Sequence, residues 1–295
     1  MGLHPSDKHR MPQAETAPIL ETHAAPPPPK DRLSPAYLFA VAVKVPLICL
    51  STIVMGSISF CCSLFDKTGN AQHRIARAWA RQLLAIGGVR VRVEGLENMD
   101  PAGSYVFVSN HVSFMDTPVL MAHIPVQFRF LAKQGLFQIP FLGNHLHRAG
   151  HIPIPRDDIR GMLKALTGAA EIVQRRRICL MIFPEGGRTH DAIGLQEFKD
   201  GAAYLAVKSG VPMVPVGLLG MGQILPMGSV HVRSGRATLR IGKPIPTTGL
   251  SLKEHKALTD RLRLEVAALS EQPLAEPHGA TPAAEPASAP SPIEG

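Results

Sequence analysis

From Ala36 to Phe65 the chain reads AYLFAVAVKVPLICLSTIVMGSISFCCSLF, with Lys44 as its one charge. As a single helix this run would be roughly 45 Å long, whereas a bilayer core is about 30 Å thick. Val45 to Phe65 alone is long enough to span. Two shorter helices dipping into one leaflet would use the same residues, with a break near Pro46 or Gly56. The competing reading is a buried core helix, but so long a run with one charge is unusual in a soluble domain. Residues 35–66 are therefore assigned as a hydrophobic membrane segment.

The flanks differ sharply from it. Residues 1–34 are polar, with a proline run from Pro26 to Pro29, and read as a disordered arm. That arm is too long and too polar to precede the core of an ordinary secretory signal. Residues 67–88 read as an amphipathic basic helix. Ile75, Trp79, Leu83 and Ile86 recur on one face, Arg74, Arg77 and Arg81 project from the other, and Gly87–Gly88 ends it. Such a helix packs on the following domain, lies on an anionic headgroup layer, or does both. Lys and Arg are more numerous after the apolar run than before it. If the run spans, the catalytic part faces the cytoplasm, from the inner membrane in a bacterium.

The net charge of +8 suits an anionic partner. Aromatic residues are only 5% of the chain, too few stacking platforms for a single-stranded nucleic-acid binder, so membrane and phosphate readings gain and no nucleic-acid partner is expected. Cys49, Cys61 and Cys62 lie in the apolar run, Cys179 lies elsewhere, and no C-x-x-C occurs. Neither a disulfide framework nor a thiolate zinc site is expected, which fits a reducing cytosol.

Between residues 89 and 270, strand-like segments (VRVRVEG, YVFVSN, FRFLAK, HIPIP, ICLMIF, MVPVGL and ATLRIG) alternate with helical patterns at 115–123, 157–175, 199–209 and 253–270. The alternation predicts an α/β catalytic domain. Its expected core is a mixed, mostly parallel central sheet flanked by helices. Residues 271–295, rich in Ala, Pro and Glu, read as a loose tail.

Four stretches carry candidate chemistry. His111 follows the strand YVFVSN, and strand ends are where α/β sheets bind ligands. Asp116 comes five residues later, which on a continuous helix leaves the two side chains roughly 140° apart. They pair only if His111 precedes the helix and the chain turns around it. On spacing alone a simpler reading is favoured, with Ser113-x-x-Asp116 a helix-capping pair and His111 incidental. In Phe183-Pro184-Glu185-Gly186-Gly187-Arg188 the paired glycines permit close backbone approach to a ligand, and Arg188 can grip phosphate. A strand-to-loop turn with a solvated Arg reads equally well. Gly150-His151-Ile152-Pro153-Ile154-Pro155-Arg156 is an extended or edge segment ending in Arg. Val211-Pro212-Met213-Val214-Pro215-Val216 by itself says only that it is a strand.

Taken in order, H-x-x-x-x-D, G-x-I-x-I-x-R, F-P-E-G-x-R and V-P-x-V-P-V resemble the four motifs of the glycerolipid acyltransferases. The nearest likeness is to the 1-acylglycerol-3-phosphate acyltransferases. It runs from about Ile75 to Ile245 and includes the connectors FLAKQGLFQIPFLG and FKDGAAYLA. The resemblance implies a base, His111, oriented by Asp116. It implies a substrate phosphate site formed by Glu185, Gly186, Arg188 and Arg156, with Lys133 as a further candidate. Val211, Pro212 and Pro215 would line the acyl-donor side. The implied reaction transfers an acyl chain from acyl-coenzyme A or acyl-carrier protein to the sn-2 hydroxyl of a lysophospholipid at a membrane, without cofactor or metal. Two positions depart from the family pattern: Gly187 replaces a Thr, and Pro155 replaces an Asp common among members. Both leave the acceptor open, since another lysophospholipid, glycerol 3-phosphate or an amino-acid lipid would suit the same chemistry. A non-catalytic lipid-binding protein is the rival of another class. A metal site at His145, His147 and His151 is disfavoured because no carboxylate or cysteine completes it nearby.

Overall fold

The computed structural model describes residues 34–187 and 194–275. The expected arm at 1–33 and the expected tail beyond 275 lie outside the described residues.

Seven strands form one sheet in the order β1-β7-β6-β2-β5-β3-β4. They are β1 (Val89–Glu94), β2 (Val106–Ser109), β3 (Phe128–Lys133), β4 (Ile152–Ile154), β5 (Cys179–Ile182), β6 (Met213–Leu219) and β7 (Gly235–Ile241). The strands β6, β2, β5, β3 and β4 run parallel. β7 is antiparallel to β6, and β1 runs parallel to β7. The mixed, mostly parallel sheet is thus the expected one, and all seven strand-like segments form strands.

Period-two alternation explains the core. Val106 and Val108 point to one face of β2, and Phe107 points to the other. Phe107, Phe128, Met181, Val214 and Val216 pack beneath α2 (Asn70–Gly87) and α3 (Asp116–His123). Val106, Val108, Leu180 and Ile182 pack beneath α5 (Ile159–Arg176), α6 (Gly201–Ser209) and α8 (His255–Ser270). Covered on both sides, the central strands β2 and β5 are apolar up to Ser109 at the end of β2, rather than alternating with polar residues. Two further helices are α4 (Leu142–Arg148) and the short α7 (Met221–Ile224).

The apolar run forms one helix, α1 (Pro35–Ser63). It breaks at neither Pro46 nor Gly56. A π-helical turn at Ala40–Lys44 leads into Pro46, which sits in the first turn of the α-helical part, where a missing N–H costs nothing. The inward stripe of α1 is Lys44, Ile48, Ser51, Met55, Ser59 and Cys62, spaced three and four apart, and most of the other residues are exposed. Polar side chains do much of the docking. Lys44 Nζ donates to the carbonyls of Gly87 and Val232 and to Ser234 Oγ. Ser51 bonds Gln82, Trp79 Nε1 donates to Thr52, and Ser59 meets His145. Leu47, Leu50, Ile53, Val54 and Ile58 face outward. The helix is apolar on both faces, unlike a surface helix of a soluble domain, which exposes a charged or polar face.

Two expectations need correction. Arg77 does not project from α2 into solvent. Its guanidinium donates to the carbonyls of Met121, Ile124, Pro125 and Val126, satisfying acceptors that the end of α3 leaves without helical partners. The start of the expected loose tail is also ordered. Gln272 Oε1 accepts from Asn110, Leu274 bridges Leu195, and the Ala275 carbonyl accepts from Arg263.

β4 is short and pairs only with Leu131, Ala132 and Lys133 of β3. The N–H groups of Phe128 and Phe130 are instead taken by imidazole nitrogens, His73 Nε2 at 3.2 Å and His151 Nδ1 at 2.9 Å. Both rings accept and are neutral, and burial pushes each down to about 3. The folded state resists protonating these rings while the unfolded chain binds protons below about pH 6.5. Their contribution to stability is therefore complete above that pH and is lost as pH falls toward 3. Urea midpoints should drop steadily between pH 6.5 and 4. His151→Leu should lose about 1–3 kcal/mol at pH 7 for the orphaned N–H and show a shallower pH slope than the wild type.

Candidate active site

The parallel strands carry the candidate residues to one edge of the sheet. The register pairs Val108 with Ile182, Phe130 with Met181, and Leu131 with Ile152. His111 after β2, Glu185 after β5, Lys133 at the end of β3 and Arg156 after β4 therefore all emerge at the carboxyl edge, the usual binding edge of such sheets.

β2 ends in a fixed turn. The Asn110 side chain mimics a further strand residue, donating to the Leu218 carbonyl at 3.0 Å and accepting the Leu218 N–H at 2.8 Å. The chain then curls around one carboxylate oxygen. Asp116 Oδ2 lies 2.8 Å from His111 Nδ1 and accepts the N–H groups of Val112 at 2.7 Å and Ser113 at 2.8 Å. Ser113 Oγ accepts from Met115 N and donates to the Leu225 carbonyl. Helix α3 starts at Asp116, so His111 lies outside it and the 140° helical offset does not apply. The pairing is realised, whereas the capping pair is not: Met115 stands at the N-cap with no side-chain cap hydrogen bond, and Ser113 lies in the turn before it. Asp116 is fully buried and its Oδ1 has no hydrogen-bond partner. A carboxylate at Nδ1 keeps the proton on that nitrogen and leaves Nε2 as the basic one. The imidazole stacks on Phe183, with centroids 3.7 Å apart and planes 12° from parallel.

The turn after β5 braces this histidine. Glu185 Oε1 accepts the His111 N–H at 2.8 Å and Oε2 accepts the Gln196 N–H at 3.2 Å. The resemblance implies a phosphate-site role for Glu185, yet both of its oxygens face backbone donors. Burial pushes this carboxyl up to about 7, against the lowering effect of its two backbone hydrogen bonds and with a further push from Asp116. A raised acid carries the opposite sign to His73 and His151: its stabilising contribution is complete below about pH 4.5 and is lost as pH rises through 7.

Gly186 has φ +77°, and a Cβ there would lie 2.8 Å from Cε of Lys199. The positive φ favours glycine, and any side chain there would also displace the end of Lys199. Arg156 reaches from β4 and donates to the Gly186 carbonyl. Lys199, whose N–H donates to the Pro184 carbonyl at 3.0 Å, crosses over the same turn. The sequence reading passed over Lys199. Its one signal was its place in the connector FKDGAAYLA. Lys133 is exposed at the same edge. The turn is thus approached by cations from two sides, an arrangement suited to a phosphate monoester.

Other expected residues are not gathered here. Val211 and Pro212 precede β6 at the opposite edge of the sheet, where Pro212 accepts from Val106 N and Val211 accepts from Thr247. Pro215 is buried in mid-strand opposite Val108. Arg188 lies outside the described residues. His145 bonds Ser59, the His147 ring packs on Phe137, and His151 accepts from Phe130. Among the described residues, no three His, Cys, Asp or Glu side chains gather around a common point where a metal would sit.

A family model described as "Acyltransferase" matches residues 90–219. The chain is 32% identical over 261 residues to a 1-acyl-sn-glycerol-3-phosphate acyltransferase of Chlamydomonas reinhardtii, covering 86% of this chain and 75% of that one. It is 36% identical over 185 residues to the chloroplastic enzyme of the same name (BAT2) from Brassica napus, covering 62% of this chain and 53% of the relative. The chain thus spans about half the length of such plant relatives. The crystal structure of the 1-acyl-sn-glycerophosphate acyltransferase PlsC from Thermotoga maritima shares the fold. Its TM-score is 0.65 at 23% identity, over 79% of this chain and 97% of that one.

Asp116→Asn keeps the volume but places an amide where Nδ1–H needs an acceptor and N–H groups need a carboxylate. We expect transfer to fall about 10²–10⁴-fold with the circular dichroism spectrum unchanged. Glu185→Gln retains one acceptor of two and should lower kcat by about tenfold with little change in KM, as expected when only the placement of His111 is loosened.

Proposed function

The chain belongs to the 1-acyl-sn-glycerol-3-phosphate acyltransferase family, and on that footing we propose that it acylates the sn-2 hydroxyl of 1-acyl-glycerol-3-phosphate, giving phosphatidic acid. The observation that carries the reading is the buried pair of His111 Nδ1 and Asp116 Oδ2 at 2.8 Å, set at the strand edge beside the cation-flanked Gly186 turn.

His111 Nε2 takes the proton of the acceptor hydroxyl as its oxygen attacks the thioester carbonyl. The C–O ester bond forms and the C–S bond breaks. The departing thiolate, from acyl-coenzyme A or acyl-carrier protein, recovers the proton from the imidazolium. Asp116 stabilises that imidazolium while it exists. Base catalysis of this kind contributes about 10²–10⁴ in rate, or roughly 3–5 kcal/mol. Arg156, Lys133 and Lys199 hold the acceptor phosphate, with Arg188 as the family motif implies, and so orient the hydroxyl. The reaction calls for no cofactor and no acyl-enzyme. Glu185 acts in this reading as the brace of His111 rather than as a phosphate ligand.

Membrane attachment follows from α1. Its docked stripe mixes Lys44 and serines with Ile48, Met55 and Cys62, while Leu47, Leu50, Ile53, Val54 and Ile58 stay exposed, which suits lipid on the outer side. We place α1 in one leaflet of the cell membrane, with the catalytic domain on the cytoplasmic side. A second reading, acylation of a different lysolipid, is favoured by one local feature. Gly187, in place of the family's Thr, has Arg156 as its nearest neighbour, so the departure falls on the phosphate side.

Purified full-length protein in vesicles, given acyl-coenzyme A and a panel of lysophosphatidic acid, lysophosphatidylcholine and monoacylglycerol, should yield phosphatidic acid as the main product. A preference for another acceptor would replace this reading by the second, and no transfer from either donor carrier would favour the lipid-binding rival. Arg156→Ala should raise KM about tenfold for lysophosphatidic acid, in line with loss of one charge-assisted contact, and leave monoacylglycerol turnover little changed.

A further inference from the structure

The segment joining Lys133 to α4 does something the chemistry above does not use. Gln134–Gln138 is a 3-10 helix, and Leu136, Ile139, Phe141 and Leu142 are all exposed, Phe141 by 93%. Phe141 also sits at the centre of a γ-turn. The Leu142 N–H donates to the Pro140 carbonyl at 2.7 Å, with Phe141 at φ 62° and ψ −54°. That hand of γ-turn is rare and strained for an L-residue. The strain secures no burial of the ring in the core, since the ring it presents is among the most exposed side chains of the structure.

The segment is nonetheless held firmly. Phe137 turns inward and packs on His147, with ring centroids 4.8 Å apart. Gly143 donates to the Ile139 carbonyl at 2.7 Å and lies so close to the Phe137 backbone that a Cβ would collide with it. Helix α4 then seats on the end of α1. Ser59 meets His145 at 3.0 Å, Arg148 donates to Ser63 at 3.1 Å, and its guanidinium lies 5.2 Å from the Phe60 ring centroid. At that end Phe60 of α1 and Leu64 and Phe65 just beyond it are exposed. Exposed apolar side chains therefore lie on both sides of α4, Phe60, Leu64 and Phe65 beyond one end and Leu136, Ile139, Phe141 and Leu142 at the other. Between them α4 itself exposes Asn144, His147 and Arg148, next to a segment that begins at Lys133 on the active-site edge. Aromatic and aliphatic side chains in company with Lys and Arg are the composition of a membrane-interface contact.

We propose that residues 136–142 are a second membrane-contact element. Ile139, Phe141 and Leu142 enter the acyl region of the leaflet that holds α1, and they keep the carboxyl edge of the sheet at the lipid surface, where the acceptor resides. This rests on the reading of α1 as membrane-embedded and of the acceptor as a lysolipid.

The test places Trp at the tip. Phe141→Trp in the full chain is bound to phosphatidylcholine–phosphatidylglycerol vesicles with brominated acyl chains, and the emission it adds to that of native Trp79 is compared with and without bromine. The added emission should be blue-shifted and quenched at least twofold. Unquenched emission at the wavelength seen in buffer would overturn the proposal, as would failure of the wild type to bind vesicles. An Ile139→Ser, Phe141→Ser double variant should acylate vesicle-embedded lysolipid about tenfold more slowly than wild type and a water-soluble short-chain acceptor equally fast. Equal rates on both acceptors would also overturn it. A wild type inactive on both would sink the enzymatic reading, and the quenching result would still decide the contact.

Discussion

One carboxylate oxygen organises the catalytic edge. Asp116 Oδ2 accepts from His111 Nδ1 and from two consecutive backbone N–H groups. It thereby shapes the turn out of β2, starts α3 and orients the imidazole. Removing it would loosen the turn and leave the imidazole without its Nδ1 partner. The rest of the fold serves to hold this arrangement. Asn110 locks the turn to β6, Glu185 ties the His111 amide to the turn after β5, and Phe183 supplies a flat surface for the ring. The parallel sheet matters because it delivers these residues, with Arg156 and Lys133, to one edge at inter-strand spacings of about 5 Å.

A second constraint acts on the outside. α1 faces the protein with Lys44, Ile48, Ser51, Met55, Ser59 and Cys62, and leaves Leu47, Leu50, Ile53, Val54 and Ile58 exposed. In water this would waste apolar area at about 25 cal/mol per Å², and in a leaflet the same surface is at home. The helix is tied to the domain from Lys44 to Ser63, so it cannot stand upright in a bilayer without drawing the arginine-bearing α2 in with it. A helix lying in one leaflet, as proposed, resolves that conflict and would bring the domain close to a lipid acceptor.

The strands were legible because their apolar runs and breakers are local signals, and the sheet edge that binds ligands follows from strand direction. The His–Asp pair was not legible from spacing. Its geometry depends on His111 standing before the helix, a condition that the spacing allowed but that only the resemblance to known motifs favoured. Lys199 was illegible for another reason. Its approach to the turn depends on the positive φ of Gly186 and on the packing of a distant connector, neither of which leaves a pattern in nearby residues. Likewise Glu185 reads as part of a phosphate loop, but its partners, the amides of His111 and Gln196, are set by tertiary contacts. Residues 271–275 look like tail by composition, yet Asn110 and Arg263 hold them. The composition of a short stretch says nothing about the donors that await it. Val211 and Pro212 mark a motif whose strand supports β2, while the residues themselves sit at the far edge.

The decisive measurement is the rate of phosphatidic acid formation from labelled acyl-coenzyme A and lysophosphatidic acid by wild type and His111→Ala, run side by side in the same vesicles. With Nε2 as the base, the wild type makes product and the variant loses at least about a thousandfold, while its circular dichroism and vesicle binding stay unchanged. A folded, membrane-bound His111→Ala protein with near-normal rates would contradict the assignment of His111 as the base and, with it, the role given to Asp116.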